Sequence, residues 1–136
     1  SKVLGFVDVD GNGRYGIEGY YDKVLKGKKG FLEEEKGLGG KVIFFDLGHL
    51  IPARPGAELV STIDYNLQFK AEKILEEAKE TLDIKSGLVI ILNPQNGEIK
   101  ALANLPNYNP NKYYQAPMDL LQNDAIQKVF EPGSVF

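Results

Sequence analysis

Near its C-terminus the chain reads FEPGSVF, residues 130–136, and Ser134 is the residue whose setting points most directly to chemistry. Pro132 and Gly133 just ahead of it make a turn from which a helix could start. The hydroxyl would then sit in a first helical turn, where the helix dipole favours developing negative charge. A serine hydroxyl is a weak nucleophile until a neighbouring base takes its proton. A lysine three residues on, one helical turn away, can be that base, which is the logic of S-x-x-K. Here that lysine would be residue 137 and the sequence ends at Phe136, so the chain by itself is expected to be inert. The plain alternative for Ser134 is a helix cap.

Three other groups of residues suggest chemistry, each with a plainer reading beside it. GNGRYG places Gly11, Gly13 and Gly16 in a G-x-G-x-x-G pattern between a strand-like and a helix-like run, the outline of a dinucleotide site. Asp8 and Asp10 stand directly before it, where their charge would oppose a pyrophosphate, and the plainer reading is a tight turn. DVDGNG also matches half of a calcium loop through Asp8, Asp10, Asn12 and Gly13, but its twelfth position is Gly19, with Glu18 one place off. His49, the one histidine, has no serine or second ligand at a telling spacing and reads as a loop residue. Tyr108, Tyr113 and Tyr114 could line a groove or pack a loop.

The elements that must position these residues can be read from periodicity. Val3 to Val9 reads as a strand, followed by a turn at DGNG. Ile17, Tyr20, Tyr21, Val24 and Leu25 fall at helical spacing, and Gly27 is placed to end that helix. The glycine-rich, like-charged stretch 26–40 reads as a mobile loop. KVIFFDL and AELVST read as strands joined through a Pro-rich bend at Ile51 to Pro55. From Asp64, a good N-cap, Leu67, Ala71, Ile74, Leu75, Ala78 and Leu82 make one apolar stripe and the strongest helix. LVIIL, a continuous apolar run, predicts a strand covered on both faces, and the turn NPQNG then leads to EIKALANL, where alternation predicts one buried face. Residues 106–130 read as irregular, with at most a short helix near Met118 to Gln122. A stretch that long usually serves a site.

Composition narrows the functional classes. With 43% hydrophobic and 26% charged residues and a net charge of −3, the chain is of ordinary globular type. Residues 1–62 carry nine basic and nine acidic side chains, residues 63–136 seven and ten, so neither half has the basic field that nucleic acid demands. Cysteine is absent, which excludes disulfides and thiolate metal sites. The longest apolar run, Leu88 to Leu92, is far short of the roughly 20 residues of a membrane helix.

Taken in order, GIEGYYDKVLKG, STIDYNLQFKAEKIL, SGLVIILNPQNGEIKALANLPNYNPN, NDAI and FEPGSVF resemble, along nearly the whole length, the class B penicillin-binding proteins. These are the monofunctional transpeptidases that cross-link bacterial peptidoglycan. The resemblance implies an α+β fold. Residues 1–61 would be the C-terminal part of an N-terminal pedestal domain of dimerisation type, and residues 62–136 the first helix, first hairpin and serine approach of an incomplete transpeptidase domain. It implies that Ser134 is the acylated nucleophile, attacking the D-Ala-D-Ala bond of a stem peptide or a β-lactam ring. Its backbone N–H would form half of the oxyanion hole.

No cofactor and no metal is implied. The setting implied is the extracytoplasmic face of a bacterial cell membrane, with the anchor outside this chain, in division or cell shape. Implied partners are stem peptides, β-lactams and a membrane glycosyltransferase or other cell-wall proteins. An alternative is a non-catalytic pedestal module that docks such proteins, and a remoter one a dinucleotide module through Gly11, Gly13 and Gly16. Two features depart from the pattern: Asp124 stands where the family's NRA has arginine, and KSG at 85–87 spells a later family motif ahead of the serine, a chance match. Bifunctional class A enzymes share the TID helix, but GIEGYYDKVLKG and EPGS favour class B.

Overall fold

A computed structural model describes residues 2–32 and 50–129. The predicted strand at 41–47, most of the 26–40 loop, His49 and Ser134 lie outside the described residues. The structure is α+β, with short two-stranded sheets and one long helix.

The first sheet pairs β1 (Phe6–Val7) with β2 (Gly13–Arg14) in antiparallel fashion, so the strand read over Val3 to Val9 shortens to two residues. The predicted helix after it is broken into α1 (Gly16–Tyr20) and α2 (Asp22–Leu25) at Tyr21, whose φ of −102° and ψ of 14° leave the helical region. Its apolar stripe is not a core face, since Tyr20, Tyr21 and Val24 are exposed. Gly27 does stop the run: at a φ of +68°, an added Cβ would lie 2.5 Å from the Arg54 carbonyl oxygen. That contact belongs to a second small sheet, β3 (Phe31–Leu32) with β4 (Leu50–Ile51), continued by two hydrogen bonds between Lys28 and Arg54. Lys28, Phe31 and Leu32, expected in a loop, are therefore paired, and AELVST, expected as a strand, joins no ladder.

The second half follows its periodicity more closely. Helix α3 (Tyr65–Leu82) starts where Asp64 caps it, the carboxylate accepting from the Leu67 N–H at 3.0 Å. Ala71 and Leu75 are the buried part of its stripe, packed on Ala101, Ala103 and Leu105, whereas Ile74 and Leu82 are exposed. β5 (Gly87–Leu92) and β6 (Ile99–Leu105) form the expected antiparallel hairpin, with a bulge between Ile91 and Leu92. Its turn is closed by Asn93, whose side chain accepts from the Gln95 N–H, and by Asn96, which accepts from the Glu98 N–H.

Burial reverses the sequence expectation for the two strands. LVIIL is covered on one face only: Leu88, Ile90 and Leu92 remain 44%, 44% and 55% exposed. In β6, by contrast, every residue from Ala101 to Leu105 is buried. One face of β6 meets α3, and on the other Leu102 lines a cavity of about 340 Å³ together with Val3, Ile17 and Ile63. Among the described residues the alternating strand is thus the central one and the continuously apolar strand is the edge.

The edge of β6 that faces away from β5 is closed by the segment that starts α3. Thr62 donates its hydroxyl to the Ile99 carbonyl at 2.8 Å, and the Asp64 N–H donates to the Lys100 carbonyl at 2.8 Å. The Gln68 amide then acts as a strand residue would, accepting from the Leu102 N–H at 2.8 Å and donating to its carbonyl at 3.1 Å.

Two substitutions measure these contacts. Leu75→Ala should cost about 2–5 kcal/mol of unfolding free energy through the cavity it leaves. Gln68→Ala strands both backbone groups of buried Leu102 and should cost about 1–3 kcal/mol. Denaturant titration of each variant is the check.

Candidate functional site

The described residues end five positions before Ser134, so the structure shows what carries the chain toward it. Residues 106–129 are more ordered than their composition predicts. They hold 3₁₀ helices at Pro110–Gln115 and Met118–Leu121 and a short helix α4 (Asp124–Gln127). The signal missed was asparagine capping. Asn109 accepts from the Asn111 N–H at 2.9 Å and Asn123 from the Ala125 N–H at 3.1 Å.

This segment is fastened to the N-terminal residues by an aromatic cluster. Phe6 of β1 stacks on Tyr113 with ring centroids 4.0 Å apart and planes 7° from parallel, and meets Tyr108 edge-on at 6.4 Å. With Leu121 and Ala116 these rings make a second core. Tyr108 and Tyr113 therefore serve packing, while Tyr114 is exposed. Burial, followed by the nearby Tyr15, raises the Tyr108 phenol above its usual value.

A buried charge contact also joins the N-terminal residues to this segment. Lys2, with its side chain 1% exposed, donates to Asp124 at 3.0 Å, and the other Asp124 oxygen faces Lys128 at 3.2 Å. Burial alone would raise the Asp124 carboxyl, but hydrogen bonds and charge from Lys2 and Lys128 outweigh it and hold the group below the usual carboxylate range. Asn123, next to it, is buried, and its side-chain oxygen lies 3.4 Å from the Asn104 amide nitrogen of β6. Helix α4 is thus tied to both the central strand and the N-terminal segment. Neither Lys2 nor Asn123 was singled out by sequence reasoning.

The motifs near the N-terminus turn out to be local scaffolding. One Asp8 oxygen accepts from the backbone N–H of Asn12 at 2.8 Å and of Asp10 at 3.1 Å, and the other accepts from Arg14 at 2.8 Å. The Asn12 N–H first, then Arg14, hold the Asp8 carboxyl below its usual value. Asn12 accepts from Lys26, and the Gly13 N–H donates to Asp22 at 2.6 Å. At Gly16 a Cβ would fall 2.4 Å from the Val3 carbonyl oxygen, so that glycine answers to close packing. Lys85 and Ser86 of KSG lie in the connection from α3 to β5, and Gly87 opens β5, where a Cβ would press Leu75 at 2.8 Å.

Residues 87–136 match the penicillin binding protein transpeptidase domain family. The chain is 33% identical over 135 residues to a probable peptidoglycan D,D-transpeptidase PbpC of Pseudomonas aeruginosa, covering 99% of this chain and 24% of that one. It is 34% identical over 134 residues to the peptidoglycan D,D-transpeptidase FtsI of Escherichia coli K12, covering 98% of this chain and 22% of that one. The crystal structure of penicillin binding protein 3 from Mycobacterium tuberculosis, complexed with aztreonam, matches 98% of the chain and 26% of its own length at 29% identity and a TM-score of 0.75. The chain belongs to the class B penicillin-binding proteins. Its fold is the corresponding part of theirs, and the chain spans about a quarter of the length of these relatives. Among the described residues of this penicillin-binding protein, no helix is long and apolar enough to cross a membrane.

The depressed Asp124 carboxyl predicts a pH dependence with a definite sign. A group whose folded pKa lies below its unfolded value, about 3.9 for aspartate, stabilises the fold above that value and loses its contribution as pH falls through the folded one. The melting-temperature advantage of wild type over Asp124→Asn should be present at pH 7 and shrink as pH falls below about 4.

Proposed function

We propose that the protein to which this chain belongs is a peptidoglycan D,D-transpeptidase, with Ser134 as its nucleophile. The observation that carries this reading is the match of residues 87–136 to the transpeptidase family, which runs through FEPGSVF and so includes Ser134. The relatives named peptidoglycan D,D-transpeptidases support it along nearly the whole chain. In this reading residues 1–61 are the late part of the pedestal domain and residues 62–136 the opening of the transpeptidase domain.

The chemistry is acyl transfer. The Ser134 hydroxyl gives its proton to a lysine one helical turn downstream, and its oxygen attacks the penultimate D-Ala carbonyl of a stem peptide. The backbone N–H of Ser134 stabilises the oxyanion. Collapse of the intermediate breaks the peptide bond, and the terminal D-Ala leaves as a free amine after taking a proton. The acyl-serine then passes its acyl group to an amine of a second stem peptide, forming the cross-link. A β-lactam ring acylates the same oxygen and opens as it does so. The relatives' work on the cell wall supports an extracytoplasmic, membrane-anchored setting.

A second reading, in which the pedestal part docks other cell-wall proteins, is favoured by one feature. Tyr20 and Tyr21 form an edge-on pair at 4.7 Å, and together with Val24 they are exposed.

A labelled penicillin tests the enzymatic reading. The full-length protein should be acylated, and Ser134→Ala should abolish labelling. The 136-residue chain alone should stay unlabelled, since losing a member of a catalytic serine unit costs about 10⁴-fold or more. A full-length protein that fails to label would overturn the assignment.

A further inference from the structure

Lys2 and Asp124 are separated by 122 positions in the sequence, yet they form the most buried ion pair among the described residues. A lysine that is 1% exposed is rarely tolerated without a partner, and removing the partner leaves an uncompensated buried charge. Cohesion alone does not call for such a pair, because two well-packed apolar side chains would hold as well or better. A charge pair differs from an apolar contact in fixing one geometry: Asp124 must sit where the Lys2 ammonium is, and α4 must sit with it.

Three further contacts hold the same helix. Asn123 caps α4 and reaches Asn104 of β6, and the Gln127 side chain accepts from the Asn123 N–H at 2.7 Å. Lys128 meets Asp124 from the C-terminal side at 3.2 Å. Four residues after Lys2, Phe6 stacks on Tyr113, so the N-terminal segment grips the same stretch twice. From Lys128, six residue steps lead to Ser134, a reach of at most about 20 Å. The position of α4 therefore limits where the hydroxyl can be.

We propose that Lys2 and Asp124 are positioning residues for acylation, their ion pair tying the N-terminal module to the helix that delivers Ser134. This rests on the reading of Ser134 as nucleophile. Asp124, which stands where the family pattern has arginine, is then one half of a charge contact whose complement is residue 2.

The test measures acylation of the full-length protein by a labelled penicillin, resolved into the non-covalent binding constant and the first-order acylation rate, well below each variant's melting temperature. Asp124→Asn and Lys2→Met should each lower the acylation rate by about 10- to 100-fold, the scale of a small misplacement of reacting groups, with binding changed less than twofold. The double variant should be no slower than the worse single one. Lys128→Ala, which removes only the exposed partner, should stay within about twofold of wild type.

An unchanged acylation rate with a lowered melting temperature would show the pair to be structural and overturn the proposal, as would losses that multiply in the double variant. If Asp124→Asn does not fold, Lys2→Arg keeps the charge with altered geometry: an intermediate loss of rate is expected, and an unchanged rate overturns the proposal. Labelling that persists in Ser134→Ala, or is absent from wild type, instead overturns the nucleophile assignment and this inference with it.

Discussion

The Gln68 amide, bonded to both backbone groups of Leu102, is the contact on which the second half of the structure depends. A two-stranded hairpin is marginal in water, and a strand with a bare edge is worse. Here the run from Thr62 to Gln68 lies along the edge of β6 and closes it at Ile99, Lys100 and Leu102. Asp64 serves twice, its backbone bonding to Lys100 and its carboxylate starting the helix. One heptapeptide thereby sets the register of helix against strand and brings Ala71 and Leu75 over Ala101 and Ala103.

With its edge closed, β6 becomes the spine of the molecule. Its far face receives the N-terminal segment, and its last residues lead into the aromatic cluster around Phe6 and Tyr108. Residues far apart in the sequence share a core, because the rings that order residues 106–121 are completed from β1. The N-terminal segment is thereby part of the support of the segment that leads into α4.

What could be read from sequence follows the range of the interactions. Helix α3 was legible because its cap and its apolar period are local, and the hairpin because NPQNG is a turn of recognisable chemistry. The break at Tyr21 was hidden because the spacing of Ile17 to Leu25 carries no sign of it. Which of β5 and β6 was central could not be read from their patterns. Leu102 and Asn104 are covered by residues far away in the chain, and the alternation of EIKALANL suggested an open face that the fold fills. The Lys2–Asp124 pair has no local signature at all. Ser134 was singled out from its type and its neighbours, while the part that Lys2 and Asn123 play in holding α4 was visible only once the chain had folded.

The reversed burial of the hairpin also governs how this chain behaves among copies of itself. β5 offers three large aliphatic side chains on its uncovered face, and among the described residues no strand pairs with its outer side. Such a ribbon is a template for strand addition, and its greasy face rewards any neighbour that shields it. A charged gatekeeper on β5, rather than a better core, would be the remedy for self-association of the chain.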